Sequence, residues 1–224
     1  MLSIIRNGGL KVDMIYELTK FNCKPGAHFL LAEIDSKIGI NIRDNNFGKL
    51  EGYWLSEHGI LNQVIVLRSF NDLSHYNSLS DKLSRNPRWY QEYLKSVDDL
   101  IVGTERSLLK AFLPFKAPES GGNIYEYRCY TTKNGKAEPW SKLFSAAMPI
   151  RKKYGSPICA WITEFGNSNE VSHLWCFKSL EERLASRALA AADKEWQKFA
   201  RNGGKLLCSM SSSVIIPHTQ SPLK

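Results

Sequence analysis

The chain has 224 residues, 43% of them hydrophobic and 23% charged, the composition of a globular protein able to bury a real core. No apolar run approaches the roughly 18 residues that a membrane-spanning helix needs. The net charge of +8 is unevenly spread: residues 114–224 carry 16 Lys/Arg against 9 Asp/Glu, and residues 1–113 carry 14 against 13. Much of the excess reads as solvated helix faces and cations at a helix C-terminus, with Arg151, Lys152 and Lys153 closing one helix and Arg183, Arg187, Lys194 and Lys198 along another. The sharper reading is attraction to an acidic partner or an anionic membrane surface. No nucleic-acid-binding motif accompanies the charge, so nucleic acid is not expected as a partner. The five cysteines have no C-x-x-C spacing and read as reduced thiols in a reducing compartment.

In chain order, residues 1–12 contain Arg6 and Lys11 and no acid, a weak mitochondrial leader or a short disordered start. A pattern then appears twice. Ile15-Tyr16-Glu17-Leu18, followed by Gly26, returns as Ile124-Tyr125-Glu126-Tyr127, followed by Gly135, an offset of 109. Further on the offset is 107: Trp54 matches Trp161, Glu57 matches Glu164, Gly59 matches Gly166, Asn62 matches Asn169, and Trp89 matches Trp196. Two matched tryptophans in one register mark a tandem duplication. The proline- and glycine-containing stretch between the copies is a linker. The expected boundaries are a first domain over 13–112, a linker over 113–122, a second domain over 123–217 and a tail over 218–224.

The second copy predicts the elements most clearly. Residues 124–131 alternate as a strand, Asn134-Gly135 turns, and 137–154 is an amphipathic helix disturbed by Pro149 and stopped by Gly155. Residues 158–165 and 170–177 alternate again around a Gly166–Asn169 hairpin loop. Ser179 offers an N-cap with Glu182 as its capping-box partner, opening one helix that runs through Trp196. A last strand covers about 205–216. The order β-α-β-β-α-β is the ferredoxin-like split unit, whose uncovered sheet face needs a partner. The fold class is α+β, with two such units packed as an intramolecular pseudo-dimer.

These residues resemble the NIPSNAP family over most of the chain. The resemblance is carried by Tyr125-Glu126-Tyr127-Arg128, Lys24-Pro25-Gly26, Trp161-x-Thr163-Glu164, Asn169-x-Val171-x-His173-Leu174-Trp175, Asp193-Lys194-Glu195-Trp196 and the Ile216-Pro217 ending. It implies dimeric α/β-barrel domains, a location at mitochondria or in the cytoplasm, and roles in mitochondrial quality control or vesicular transport through protein partners. Further homo-oligomerisation and peripheral membrane contact are compatible with it. It implies no cofactor and no established enzymatic activity. The alternative is a small-molecule barrel for an aromatic, lipid-like or haem ligand, with the cofactor-free monooxygenases and isomerases of the wider barrel group as analogues. The first copy departs from the pattern, with Thr19 for Arg128, Val66 for His173 and Arg68 for Trp175, so any site is expected to be asymmetric.

No Gly-rich nucleotide loop, nucleophile elbow or H-E-x-x-H is present. Alternation instead groups Glu126, Arg128 and Tyr130 on one face of a strand, and His173 with Trp175 on one face of another. The candidate ligand-binding residues are Glu17, Trp54, Arg68, Glu126, Arg128, Trp161, His173 and Trp175, expected to point between the sheets. Structural pairing of the buried charges by itself explains their presence, with Glu126–Arg128 or Glu17–Arg68 as the pair and His173 inert, and is the first reading. Tyr125, Tyr127 and Leu174 are then expected to pack under helix stripes containing Leu143, Phe144, Leu184 and Ala188.

Overall fold

The computed structural model describes residues 14–43 and 47–224; the possible leader at 1–12 lies outside the described residues. The first repeat runs β1 (Ile15–Cys23), α1 (Ala27–Ile34), a π-helical turn (Asp35–Gly39), α2 (Ile40–Arg43), β2 (Lys49–His58) and β3 (Gln63–Phe70). It continues through α3 (Leu73–Ser84), a second π-helical turn (Trp89–Leu94), α4 (Lys95–Val97) and β4 (Ile101–Leu113). The second repeat is β5 (Ile124–Thr132), α5 (Ala137–Arg151), β6 (Ser156–Phe165), β7 (Glu170–Phe177), α6 (Leu180–Ala192), α7 (Lys194–Gly204) and β8 (Leu207–Pro217).

Local chemistry repeats along with the sequence. Gly26 and Gly135 both take left-handed φ, 78° and 70°, just before the first helix of their repeat. Each amide donates to the side-chain oxygen of the hairpin asparagine, Asn62 at 2.8 Å and Asn169 at 3.2 Å. Ser179 caps α6 by accepting from the Glu182 amide at 3.2 Å, while the Glu182 carboxylate reaches back to the Lys178 amide. The single helix expected through Trp196 is two. Asp193 turns out of α6 at ψ 120° and its carboxylate accepts from the amides of Glu195 and Trp196, starting α7. Late in the repeat the offset falls by one residue. Ile101 partners Cys23 where Leu207 partners Thr132, and the π-helical turn at Trp89–Leu94 holds the extra residue.

The eight strands close into one barrel in the order β1-β3-β2-β8-β5-β7-β6-β4. The repeats are joined twice, reciprocally: β2 pairs with β8, and β4 pairs with β6. Each copy contributes a contiguous four-stranded sheet, β4-β1-β3-β2 or β8-β5-β7-β6, that closes only with the other, and the helices cover the outside. The barrel interior is a core drawn from both copies, including Tyr16, Leu18, Trp54, Ile65, Leu67, Tyr125, Tyr127, Trp161, Leu174 and Ile215. Phe115 of the linker and Leu223 of the tail pack against the same cluster. The tail is held by the Ser221 hydroxyl, which accepts from the Tyr53 amide at 3.0 Å. Two further cores lie between sheet and helices, one in each repeat.

Candidate functional site

The structure divides the eight candidate residues among three places. Trp54 and Trp161 point into the barrel and are each 1% exposed. Glu126, Arg128, His173 and Trp175 point the other way, toward α5, α6 and α7. Glu17 and Arg68 lie on the matching helix-facing side of the first repeat, in register with Glu126 and Trp175. The expectation that the charged residues point between the sheets is therefore corrected.

The physical reason is space and pairing. An eight-stranded barrel is only wide enough for its own side chains. Here Tyr16 packs against Trp161 at 5.8 Å and Trp54 against Tyr125 at 5.7 Å, so the interior is filled by rings. Under the helices, Glu126 finds partners that the barrel could not supply. One carboxylate oxygen receives Arg183 at 2.6 Å, the Ser212 hydroxyl at 2.6 Å, and Arg128 and Arg187 each at 3.4 Å. Burial alone would push the Glu126 carboxyl up; Arg128, Ser212 and Arg183 overcome it and hold it below the usual carboxylate range. The helix stripes differ from expectation for the same reason. Leu184 is exposed, at 62%, because α6 turns Arg183, Arg187 and Ala190 toward the sheet instead, and Leu143, at 40%, lies on the outer side of α5, which buries Trp140 and Phe144.

Between sheet and helices of the second repeat lies a cleft of about 300 Å³. Its walls are mainly Trp140, Phe144, Trp175, Trp196 and Phe199, and its charged groups are Glu126, Arg128, Arg151 and Arg187. Small residues leave the room: Ala190, Ala191, Ala200, Gly203 and Gly204. His173 sits against the aromatic wall, with the Phe144 and Tyr130 rings each at 4.9 Å and the Trp140 ring nearly parallel at 6.1 Å. The Trp175 indole donates to His173 Nδ1. An indole N–H only donates, so the neutral imidazole carries its proton on Nε2. Nε2 has no hydrogen-bond partner among the described residues. Burial, with Arg128 and Arg151 adding to it, drives the His173 pKa well below the usual range, so the ring is neutral at pH 7.

Arg151, 6% exposed, has no carboxylate within salt-bridge distance among the described residues. Its guanidinium lies over Trp175 at 4.4 Å and Trp196 at 5.8 Å, and one nitrogen reaches the Ser186 hydroxyl at 3.4 Å. Burial, then repulsion from Arg128, pulls its pKa down to about 10.

The first repeat has lost this arrangement. Val66 stands where His173 does and Thr19 where Arg128 does, and Val66 packs into a continuous core with Leu31, Tyr93 and Val97. Glu17 pairs with Arg106 at 3.5 Å and accepts from Thr19 at 3.2 Å, while Arg68 donates to the Phe47 carbonyl at 3.1 Å. Sequence reasoning missed Trp140, Phe144, Arg151, Arg187, Trp196 and Phe199 as cleft residues, and Arg183 as a partner of Glu126. A usable signal was present. Arg183, Arg187, Ala190 and Ala191 fall at helical spacing on one face, a cationic stripe with small residues beside it.

Two matches of the NIPSNAP family model cover residues 16–114 and 125–222. A NipSnap homolog of Dictyostelium discoideum is 30% identical over 209 residues, covering 91% of this chain and 87% of its own length. Human NipSnap homolog 3A is 26% identical and covers 100% of this chain and 92% of its own length. Among solved structures, an anthrone oxidase-like protein superposes with TM-score 0.68 at 8% identity, covering 96% of this chain and 95% of that one. At that identity the likeness concerns the fold. With both repeats matched by the family model, the chain belongs to the NIPSNAP family.

Proposed function

We propose that the second repeat binds a small, largely aromatic molecule in the cleft between its sheet and α5–α7. The observation that supports this most is the buried His173 Nε2–H, which has no partner among the described residues and belongs to a side chain lining an aromatic-walled cleft of about 300 Å³. A buried donor left unpaired is costly, roughly 1–3 kcal/mol, and a ligand acceptor in the cleft would relieve it. The first repeat then serves as scaffold, completing the barrel. No catalytic step is proposed, because no nucleophile or general base in the cleft is set up for one.

Binding is tested by titrating small aromatic compounds into the protein and following tryptophan fluorescence, since Trp140, Trp175 and Trp196 line the cleft. Saturable quenching is expected. It should disappear in Ala200→Trp, which places a large ring at an exposed position lining the cleft. No saturable binding, or binding untouched by that substitution, would reject the reading.

A second reading follows the family expectation of protein contacts at mitochondria or vesicles. It is favoured by large apolar side chains outside the cleft: Ile60, Leu61, Leu184 and Leu189 are all more than half exposed. Among the described residues no helix is long and apolar enough to cross a membrane, so such contacts would be peripheral. Proximity labelling in cells with wild type and with Leu184→Glu/Leu189→Glu tests it; identical neighbour sets would count against these residues.

A further inference from the structure

Resting on that reading of the cleft, we propose that its ligand is a flat aromatic molecule bearing one negative charge, a carboxylate or an acidic phenol. Arg151 and the Nε2–H of His173 would hold the charged end.

Three independent features converge on a negative charge. The first is the charge balance. Three arginines, 128, 151 and 187, line the cleft, Arg183 lies beside them against Glu126, and Glu126 is the one carboxylate among the lining residues. Glu126 is outnumbered: its Oε1 meets Arg128, Arg183 and Arg187 as well as Ser212, so the cleft keeps a net positive charge. The second is Arg151. It is buried, lines the cleft, and has indole faces and one hydroxyl as neighbours in place of an anion. A buried guanidinium is ordinarily paired, and its fork of donors suits a carboxylate. The third is His173, whose neutral ring offers a donor at Nε2 and whose acceptor nitrogen is occupied by Trp175. Arg151 and His173 therefore both present donors that no anion answers among the described residues.

The shape argues for a flat ring. Trp140 and Phe144 stack at 4.7 Å with 21° between their planes, and Trp140 and His173 lie within 12° of parallel. Such walls favour an aromatic body by offset stacking over a flexible chain. The first repeat serves as an internal control. It has Val66 at the His173 position and a filled core, and its buried Arg68 is answered by a backbone carbonyl.

The experiment compares 1-naphthoate, 1-naphthalenemethanol, 1-naphthylmethylammonium and octanoate on the full chain by isothermal titration and ligand-observed NMR. Naphthoate is expected to bind at least about ten-fold more tightly than the neutral alcohol, the factor that one charge-assisted hydrogen bond supplies. The ammonium compound should bind weakest, and octanoate more weakly than naphthoate. In Arg151→Met the naphthoate advantage over the alcohol should fall to within about two-fold; Arg151→Lys should keep part of it. Should Arg151→Met fail to fold, the wild-type ranking still decides. If the three naphthalenes bind equally, or the ammonium binds best, the negative charge is wrong while the cleft reading stands. If octanoate equals naphthoate, the flat ring is wrong. If none binds in a way that Ala200→Trp blocks, both readings fall together.

Discussion

At the residue scale, two buried titratable groups shape the behaviour of the cleft. His173 is neutral because burial and two arginines oppose its protonation, so its folded pKa lies well below the unfolded value of about 6.5. The unfolded chain then takes up a proton that the folded chain refuses, and stability falls as pH drops below about 6.5. The slope contributed by one such group is at most about 1.4 kcal/mol per pH unit. Urea denaturation between pH 7.5 and 5 should show this loss, and His173→Phe should flatten it. His28 and His218, whose pKa values burial also lowers, will keep a smaller slope of the same sign in the variant. Glu126 acts in a lower window. Its depressed pKa stabilises the fold above the ordinary carboxylate range and loses that contribution as the carboxyl protonates. Glu126→Gln leaves three arginines without their anion at a position 1% exposed, and should cost about 3 kcal/mol at pH 7 by chemical denaturation.

At the scale of elements, the cleft depends on one break in a helix. The Asp193 carboxylate caps α7 through two amides, at 2.8 and 3.1 Å, and receives the Tyr154 hydroxyl at 2.9 Å. That turn sets the direction of α7 and with it the wall formed by Trp196 and Phe199. Asp193→Ala should lower stability by about 1–2 kcal/mol, the usual value of a lost cap, and weaken aromatic binding together with it. Asp193→Asn, which keeps the acceptor, should restore most of both. Melting curves and the fluorescence titration check the pair. The asymmetry of the repeats is also an element-scale effect. The π-helical turn Trp89–Leu94 carries the one-residue excess, and Tyr93 on it is buried in the first-repeat core. In the second repeat the corresponding stretch is the regular helix α7, with Gly203 and Gly204 beside the opening.

At the scale of the molecule, the two copies are one folding unit. The β2–β8 and β4–β6 pairings and the shared interior core leave neither repeat with a closed sheet. Unfolding followed by far-UV circular dichroism and by tryptophan fluorescence should therefore give coincident transitions. Residues 123–224 expressed alone would expose the outer edges of β6 and β8, and should self-associate; a stable monomer by light scattering would contradict this. Filling matters too. Trp161→Ala removes a large ring from the closed interior and should cost about 3–5 kcal/mol, measured by denaturation.

By itself the sequence determined the duplication, the order of elements in each unit apart from the helix break at Asp193, and the family, because glycine turns, caps and matched tryptophans are local signals. It also showed which residues share a strand face. Glu126 with Arg128 and His173 with Trp175 are neighbours as alternation requires, and the register places Arg128 beside His173. What only the tertiary structure decided is the side on which those faces lie. In an open sheet, water marks one face and polarity betrays it. Here the strands are buried on both sides, inside by the barrel and outside by the helices, and both sides carry aromatic rings. Period-two alternation then has a spacing but no phase. The phase was set by partners distant in sequence: Arg183 and Arg187 on α6 and Ser212 on β8 converge on Glu126. The rings of Tyr16, Trp54, Tyr125 and Trp161 leave no room for that cluster inside the barrel, because a closed eight-stranded sheet is narrow.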